Sequence, residues 1–420
     1  MHHKTRLDNG VRIISERMDH LRSVSLSIWV NTGSRDEAYP ENGVSHFIEH
    51  MSFKGTRHRD SLEIAKELDI IGGLSNAFTG KENTCFHGRV LDCHFNRLAD
   101  ILSDIFLNST FDPIEMERER EVILQEIYMM EDTPDDNLHT LFNALFWDGH
   151  PIGRPILGTG ETVSAISKET ILNYIHKFYV PEEILVAAAG NVDHQEIVSF
   201  FQPLFASLSG DGRNGAKRSV PVSKGGFATH HKALEQVHIC MGGVAPSQMD
   251  DQRFACAVFN AILGGNMSSR LFQEVREKRG LAYSVYSFLS TYVDAGLLGI
   301  YAATEPRHLN RLLQTIQKEI RKLCDSDLTE SEVRAAKDHI IGGIHLGSES
   351  ADNRMMRIAK NEFTFGRYVD YEELVSSLEQ VRIEDVVAVA RRTFQEGHLS
   401  FAALGPLENE IIDRGLIAYD

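Results

Sequence analysis

The sequence has few cysteines, fewer cationic than anionic residues and no long apolar run. Its five cysteines are widely spaced and form no CxxC pair, which argues against a disulfide framework and favours a reducing compartment. Lys and Arg number 43 against 60 Asp and Glu, a formal charge of -17 that excludes a general affinity for nucleic acid or anionic membranes. No stretch of about 18 apolar residues could span a membrane. Because a hairpin-like run begins at Arg6 without a preceding apolar signal segment, we expect a cytoplasmic protein.

The remaining composition is that of a folded protein, and the sequence contains an internal repeat. Hydrophobic residues make up 42% and charged residues 25% of the chain, as in globular proteins. Its 420 residues suggest two or three domains of ~150 residues, of which two is the working number. The segment His94-Phe-Asn-Arg-Leu recurs as His308-Leu-Asn-Arg-Leu, an offset of about 214 residues. Each copy follows a strand-like run (85–90 and 297–303) and precedes an amphipathic helical pattern (98–107 and 312–323).

The two halves are separated by the polar, glycine-rich stretch from Ser207 to Ser219, which is typical of a linker. We therefore expect an N-terminal domain at 1–207, a linker at 208–224 and a homologous C-terminal domain at 225–420. Strands and helices do not alternate strictly, so the predicted fold class is α+β, with mainly antiparallel sheets and packed helices in two homologous layered domains.

The clearest chemical motif is His46-Phe47-Ile48-Glu49-His50, preceded by Asn42 or Gly43 as a helix start. On a helix His46 and His50 are ~40° apart around the axis and one turn apart along it, so both imidazoles converge on one point. Glu49 lies about 60° to the other side of His46. From there it can reach a water molecule on a metal ion held by the two histidines, but it cannot serve as a third ligand. This order of residues is the inverted zincin motif of metallopeptidases.

A catalytic zinc needs a third protein ligand, and the helical pattern from Glu115 to Tyr128 offers two candidates. Glu119 and Glu126 are seven residues apart and share a helix face, but their Cα atoms are ~10.5 Å apart along the axis. One can therefore be a ligand and the other a supporting group, and spacing alone does not decide which. The alternative interpretation is that the histidines are ordinary helix residues and the acidic run is a solvated face.

The duplication indicates which half carries the chemistry. At offsets of about 214 and 217 residues, 46–50 falls on 260–264 and Glu126 falls on Gly343, so the second half has no metal ligands at these positions. We therefore expect the reaction to belong to the first half.

With these motifs the chain resembles the pitrilysin and insulinase family of inverzincin metallopeptidases. It is most similar to the short, single-unit branch akin to the mitochondrial processing peptidase β subunit and bacterial processing proteases. The resemblance runs from Leu7 to about Gly405 and includes Gly72-Gly-Leu-Ser-Asn-Ala-Phe-Thr79 and the segment 267–283. In that family a Glu follows the HxxEH motif by some 75 residues, which assigns Glu126 as the third ligand and Glu119 as the supporting carboxylate.

The resemblance also implies how substrate is held. Ser75, Asn76, Ala77 and Phe78 correspond to an edge strand onto which an extended peptide adds as a further β-strand. Arg276 and Tyr283 correspond to a pair that clamps the substrate and polarises the scissile carbonyl. Without the resemblance, Arg276 would be interpreted as a solvated helix end and Tyr283 as a core aromatic residue.

The expected function is accordingly a zinc-dependent endopeptidase that holds one Zn²⁺ per chain on His46, His50 and Glu126, with Glu49 as general base. Peptides, basic ones among them, are the expected substrates. Relatives of full length contain four domains, so we expect this chain to form a homodimer with an active site shared between subunits. The alternative is a non-catalytic scaffold or partner subunit of the same fold.

Overall fold

The protein is described from a computed structural model that covers residues 2–209, 217–395, 399–407 and 412–416. Two compact units divide the chain. The first contains residues up to Met129, Arg154–Ser219 and Leu346–Val369, and the second contains Met130–Gly153, Val220–His345 and the chain from Asp370 onwards. All five cysteines are unpaired, and only Cys93 is exposed.

The first half of the chain contributes six strands and eight helices within the described ranges. The strands are β1 (His2–Arg6), β2 (Arg12–Arg17), β3 (Ser23–Val30), β4 (Leu74–Thr79), β5 (Thr84–Leu91) and β6 (Ile184–Gly190). The helices are α1 (Val44–Ser52), α2 (Ser61–Ile70), α3 (Phe95–Asn108), α4 (Pro113–Asp132), α5 (Pro134–Phe146), α6 (Gly160–Ala165), α7 (Lys168–Phe178) and α8 (His194–Phe205).

The second half contributes five strands and six α-helices within the described ranges. The strands are β7 (Gly226–His231), β8 (Val237–Ala245), β9 (Val285–Thr291), β10 (Gly296–Thr304) and β11 (Ser400–Gly405). The helices are α9 (Arg253–Leu263), α10 (Leu309–Cys324), α11 (Glu330–Gly347), α12 (Ala351–Phe365), α13 (Tyr371–Gln380) and α14 (Ile383–Thr393).

Each unit is built on one sheet, and the five strands of the second sheet follow the same order as the first sheet without its edge strand β1. The first runs β1-β2-β6-β3-β5-β4 and the second runs β7-β11-β8-β10-β9. The pairs β2–β6 and β7–β11 are parallel, while the other neighbouring strands are antiparallel. The predicted α+β class with mainly antiparallel sheets is confirmed. The strand-like runs at 85–90 and 297–303 form β5 and β10, which occupy equivalent places in the two sheets.

The repeated His-x-Asn-Arg-Leu segment has the same local structure in both halves. A short 3₁₀ turn (Asp92–His94, Pro306–His308) leads directly into α3 in the first half and α10 in the second. Along α3, Leu98, Ile101, Leu102 and Ile105 are fully or almost fully buried, at the three- and four-residue spacing of a helix face. Burying each such side chain stabilises the fold by about 1.5–3 kcal/mol, so this face fixes the helix against its sheet.

The two halves of the chain exchange one helical segment each. Helix α12 from the second half packs on the first sheet, where Met355 and Ile358 join a buried cluster with Trp29 and Leu185. Helix α5 from the first half packs on the second sheet, where Phe142 joins a cluster with residues of β8, β10 and β11. The compact units therefore differ from the simple division at 1–207 and 225–420. The two exchanged helices are themselves at corresponding places in the sequence repeat.

The predicted linker is described only at its two ends, since 210–216 lies outside the described residues. At its C-terminal end, Nη2 of Arg218 donates to Oδ2 of Asp36 at 2.8 Å, and the carbonyl oxygen of Ser219 accepts from Nη2 of Arg35 at 2.6 Å. Arg35 in turn pairs with Glu82 at 2.7 Å. These bonds hold the end of the predicted linker on the first unit.

Candidate metal centre

Helix α1 begins as the sequence predicts, and a residue from outside the motif caps it. Gly43 is the N-cap with φ +97°, and a Cβ there would lie 2.7 Å from the carbonyl oxygen of Leu157. Both the left-handed backbone and the close approach therefore require glycine. The carboxylate of Glu37 accepts from the N–H groups of Gly43 at 2.8 Å and Ser45 at 2.9 Å, and burial raises the pKa of this carboxyl. Glu37 thus satisfies donors that the first turn leaves open.

The orientation of α1 is set by its apolar side. Val44, Phe47, Ile48 and Met51 are almost completely buried in one cluster with residues of α4 and α7. Since these side chains cover one side of a two-turn helix, the opposite side presents His46, which is largely buried, and His50, which is partly exposed.

Three potential ligands from two helices converge beside α1. Oε2 of Glu126, on α4, lies 3.7 Å from Nε2 of His46 and 3.6 Å from Nε2 of His50. Candidate ligand atoms of these three residues all lie within 4.8 Å of one another, and no other such cluster occurs among the described residues. In a tetrahedral zinc site with bonds of ~2.1 Å, ligand atoms are about 3.4 Å apart. The donor types and spacings therefore fit a zinc ion.

Glu119 lies on the other side of His50 from Glu126. Its Oε2 is 3.1 Å from Nδ1 of His50, and its Oε1 is 2.7 Å from Nζ of Lys54. The side chain of Glu119 is buried, whereas that of Glu126 is more than one-third exposed. Glu126 thus lies near the Nε2 atoms of both histidines, whereas Glu119 lies near the Nδ1 atom of His50 alone. Residue spacing had left open which of the two glutamates would lie at the ligand position and which would lie behind it.

The protonation of the two histidines differs. Burial, with a smaller effect of the nearby His50, lowers the pKa of His46 to about 4, so this imidazole is neutral at pH 7. Burial would also lower the pKa of His50, but hydrogen bonds to Glu126 and Glu119 outweigh it and raise the pKa above its usual value. The hydrogen bond with His50 lowers the pKa of Glu126. Nδ1 of His46 is buried without a hydrogen-bond partner in the part of the chain that the structure describes.

Glu49, on the same helix, is linked to the first sheet. Its Oε2 accepts a hydrogen bond from Oγ1 of Thr79, the last residue of β4, at 2.6 Å. Burial raises the pKa of Glu49, against the opposing effect of this hydrogen bond. The carboxylate is therefore a stronger base than a solvated glutamate.

The predicted peptide-binding segment is an edge strand. Ser75, Asn76, Ala77 and Phe78 lie in β4, which pairs with β5 on one side and with no other described strand. Ala77 is buried and Asn76 is exposed, and Oδ1 of Asn76 accepts from the N–H group of Ala77 at 2.9 Å. The ring of Phe78 packs edge-on against Trp29. An unpaired edge of this kind can accept an added strand.

Arg276 and Tyr283 form a pair within the second unit. Arg276 lies in a short π-helical segment, Phe272–Glu277, and its guanidinium carbon is 4.3 Å from the centroid of the Tyr283 ring. Its Nη1 also donates to the main-chain oxygen of Tyr283 at 3.3 Å. Tyr283 is 75% exposed, so its interpretation as a core aromatic residue is wrong.

The sequence pattern does not predict the contacts of three residues that support this site: Glu37, Lys54 and Thr79. Thr79 is the last residue of the segment 72–79 that carries part of the resemblance, and Lys54 lies just beyond the motif helix. A carboxylate six to eight residues before a helix start, such as Glu37, is a capping signal only when the intervening loop folds back, which the sequence does not show.

Comparison with known proteins assigns the family. A family model described as Insulinase (Peptidase family M16) matches residues 12–160, and one described as Peptidase M16 inactive domain matches 165–340. The chain is 39% identical over 402 residues to an uncharacterized zinc protease of Bacillus subtilis, covering 96% of this chain and 97% of that protein. It is 38% identical over 420 residues to an uncharacterized zinc protease of Streptomyces coelicolor, covering 98% and 91%. The chain belongs to the insulinase family of peptidases, family M16.

Solved structures share the fold. A protease from Helicobacter pylori superposes with a TM-score of 0.89 at 20% identity, covering 96% of this chain and 99% of that one. A peptidase M16 inactive domain from Pseudomonas fluorescens gives the same TM-score at 19% identity, covering 97% and 98%. At these identities the comparison concerns the fold alone. No helix in the described part of the chain is long and apolar enough to cross a membrane.

Proposed function

We propose that this protein is a zinc-dependent endopeptidase that hydrolyses extended or unfolded peptides. The single observation that carries the proposal is the convergence of His46, His50 and Glu126 on one point, with candidate ligand atoms within 4.8 Å of one another. Membership of peptidase family M16 and relatives called zinc proteases support the same reaction class and the same metal.

We assign one zinc ion per chain to Nε2 of His46, Nε2 of His50 and the carboxylate of Glu126. His46 is neutral at pH 7 and so offers a free lone pair, and Glu126 is ionised because its pKa is lowered by its hydrogen bond to His50. Two nitrogens and one oxygen are a usual donor set for catalytic zinc, with a fourth position open to water. Zinc, when bound, supplies a Lewis acid that lowers the pKa of a water molecule and polarises the peptide carbonyl.

The remaining steps belong to side chains of this protein. Glu49 takes a proton from the attacking water and delivers it to the nitrogen of the leaving amine as the peptide bond breaks. Burial raises the pKa of Glu49, which makes it a stronger base for the first of these transfers. Glu119 accepts a hydrogen bond from the Nδ1–H group of His50 and so keeps Nε2 free for the metal. Arg276 and Tyr283 are proposed as hydrogen-bond donors to the carbonyl oxygen as its charge develops.

The proposed substrates are extended peptides, with basic ones favoured. Backbone pairing with β4 recognises an extended main chain with little regard to sequence, and side chains alternate between the two faces. A formal charge of -17 attracts cationic peptides over distances set by ionic strength. The cytoplasmic location expected from the sequence stays a prediction.

We further propose a homodimer in which Arg276 and Tyr283 serve the zinc site of the partner subunit. The support is the resemblance to full-length relatives with twice as many domains, together with the closed symmetry that is usual for homo-oligomers.

The function is tested by metal analysis and by cleavage of an unstructured basic peptide, with and without a chelator. Glu49→Gln should retain zinc and lose cleavage, whereas Glu121→Gln, at an exposed position of α4, should retain both. Zinc-free protein, or cleavage indifferent to the chelator and to Glu49→Gln, would contradict the proposal. Protein without zinc and without cleavage would instead support the non-catalytic scaffold, for which a precedent is the neighbouring structure named an inactive domain.

A further inference from the structure

The end of strand β4 is tied to the proposed general base. Oγ1 of Thr79 donates to Oε2 of Glu49 at 2.6 Å, and the main chain of Thr79 faces the same carboxyl and lowers its pKa against the effect of burial. The described residues offer the Glu49 carboxylate no hydrogen-bond partner besides Thr79. The orientation of a flexible glutamate side chain is thus set by one residue of the neighbouring sheet.

The hydrogen-bonding pattern of the sheet explains why Thr79 is available. The N–H group of Gly80 donates to the carbonyl oxygen of Asn83 at 2.8 Å, and Thr79 pairs with Thr84 at the next position. In an antiparallel ladder, hydrogen-bonded and non-hydrogen-bonded pairs alternate. The Thr79–Thr84 pair is therefore the non-hydrogen-bonded one, and the N–H group of Thr79 points away from β5, toward the free edge.

The same alternation turns the N–H group of Ala77 toward the free edge. That group is held only by Oδ1 of the exposed Asn76 side chain, at 2.9 Å, which a peptide carbonyl can replace. At Thr79 a peptide carbonyl would compete with the Glu49 carboxylate, which lies 2.6 Å from the Thr79 hydroxyl. The outward donors of β4 thus differ: the one at Ala77 is available to a peptide, and the one at Thr79 is committed to the base.

We propose that Thr79 is a positioning residue, which orients Glu49 for proton transfer and ends the pairing of a substrate strand with β4 at Ala77. The inference rests on the proposed peptidase function. It places the last backbone hydrogen bond of the bound peptide two residues before the residue that holds the base, so peptide binding and base orientation share one strand. A peptide that pairs as far as Ala77 leaves the Thr79–Glu49 contact intact.

The competing explanation is purely structural, since the same contact also joins α1 to the first sheet. A structural contact would affect thermal stability and zinc content, and activity per bound zinc would stay unchanged. A positioning role lowers kcat at constant zinc content, and restoring the hydroxyl restores kcat. The two explanations therefore differ in a measurable way.

The experiment compares wild type, Thr79→Val, Thr79→Ser and a matched control, Thr84→Val. The hydroxyl of Thr84 is buried on the paired strand, but it donates to the main-chain oxygen of Thr32 at 3.0 Å. For each zinc-loaded protein, kcat and KM are measured on an unstructured peptide, together with zinc content and melting temperature. If Thr79→Val does not fold, Thr79→Ala takes its place.

Thr79→Val should keep its zinc and lose ~10–100-fold in kcat, with KM changed by less than ~3-fold. Thr79→Ser should stay within ~3-fold of wild type in kcat, and Thr84→Val should lower the melting temperature without a comparable loss of kcat. Unchanged kcat in Thr79→Val, equal losses in Thr79→Ser and Thr79→Val, or a loss explained by missing zinc would each overturn the inference. A zinc-loaded wild type without activity would overturn the proposed function and this inference with it.

Discussion

Nδ1 of His50 lies 3.1 Å from Oε2 of Glu119, and this contact orients the imidazole of a proposed zinc ligand. A carboxylate at Nδ1 fixes the proton on that nitrogen, because a carboxylate only accepts hydrogen bonds. Nε2 then carries the lone pair, on the side where Oε2 of Glu126 lies 3.6 Å away. His46 lacks such a partner among the described residues, so the two proposed ligands are supported unequally.

Replacing Glu119 with Gln should weaken zinc binding. The neutral amide accepts more weakly from Nδ1 of His50 and can also orient its NH₂ group toward it, so zinc affinity should fall ~10–100-fold. Competition against a chromophoric chelator measures the change. Glu121→Gln, at an exposed site on the same helix, is the matched control and should bind as wild type does. Equal affinity in both variants would show that Glu119 does not support the ligand.

Lys54 should act on zinc binding through Glu119. Its Nζ lies 2.7 Å from Oε1 of Glu119, and this ion pair holds the buried carboxylate in place beside His50. We expect Lys54→Met to lower zinc affinity by up to ~10-fold and Lys54→Arg to lower it less, because the charge is kept. The exposed Lys66→Met on α2 is the control for a lost surface charge. In the double variant, Lys54→Met should lower zinc affinity by less than it does in the wild-type background. If it lowers zinc affinity by the same factor in both backgrounds, the two residues do not act together.

Zinc affinity should depend on pH through His50. Hydrogen bonds to Glu126 and Glu119 raise the pKa of His50, so zinc must displace a proton from it up to a higher pH than from an ordinary histidine. Affinity should fall as the pH drops through the pKa of His50 and level off above it. His46, whose pKa is lowered to about 4, stays neutral over that range. Affinities measured between about pH 6 and 9 that show no slope would contradict this assignment.

The same shift has the opposite effect on the metal-free protein. A raised pKa in the folded state stabilises the fold fully below the unfolded value of 6.5, and this contribution is lost as the pH rises through the folded pKa. The contribution of His50 to the stability of the apo protein should therefore grow as the pH falls toward 6.5, whereas the zinc-loaded protein loses stability over the same range. Below pH 6.5 His46, with its pKa lowered to about 4, acts in the opposite direction in the apo protein. Melting temperatures of both forms across this range measure the contrast.

Gly43→Ala should damage the fold and the metal site together. Its φ of +97° and the 2.7 Å approach to the Leu157 carbonyl oxygen leave no place for a Cβ, so we expect a loss of about 1–3 kcal/mol. Gly366→Ala is the matched control, because that glycine also has positive φ but no atom near its Cβ position. Melting temperature should fall further in Gly43→Ala, with zinc affinity reduced only there. Equal effects would mean that the close approach does not matter.

The proposed dimer is tested by mixing two inactive chains. A Glu49→Gln chain supplies an intact Arg276, and an Arg276→Ala chain supplies an intact Glu49. Random exchange of subunits should restore about a quarter of wild-type activity, since half the dimers are mixed and each has one complete site. Neither chain alone should show this activity. Labelled chains show whether subunits have exchanged. If they have exchanged and no activity is recovered, the shared site is contradicted.

The sequence predicts those features that depend on local periodicity. Four-residue spacing on a helix places His46 and His50 together, and the duplication predicts that β5 and β10 occupy equivalent places. Contacts that depend on where separate segments meet could not be predicted, such as the cap by Glu37 and the bond from Thr79 to Glu49. The amphipathic pattern of α12 shows that one face is buried, but it does not identify the sheet that buries it.

The helix exchange determines how the protein can fold during synthesis. Trp29 and Leu185 emerge from the ribosome long before Met355 and Ile358, the residues that cover them. Until α12 is made, one face of the first sheet stays apolar and uncovered, as in partly folded states that aggregate or bind chaperones. The first half therefore cannot complete its fold before nearly the whole chain has been translated.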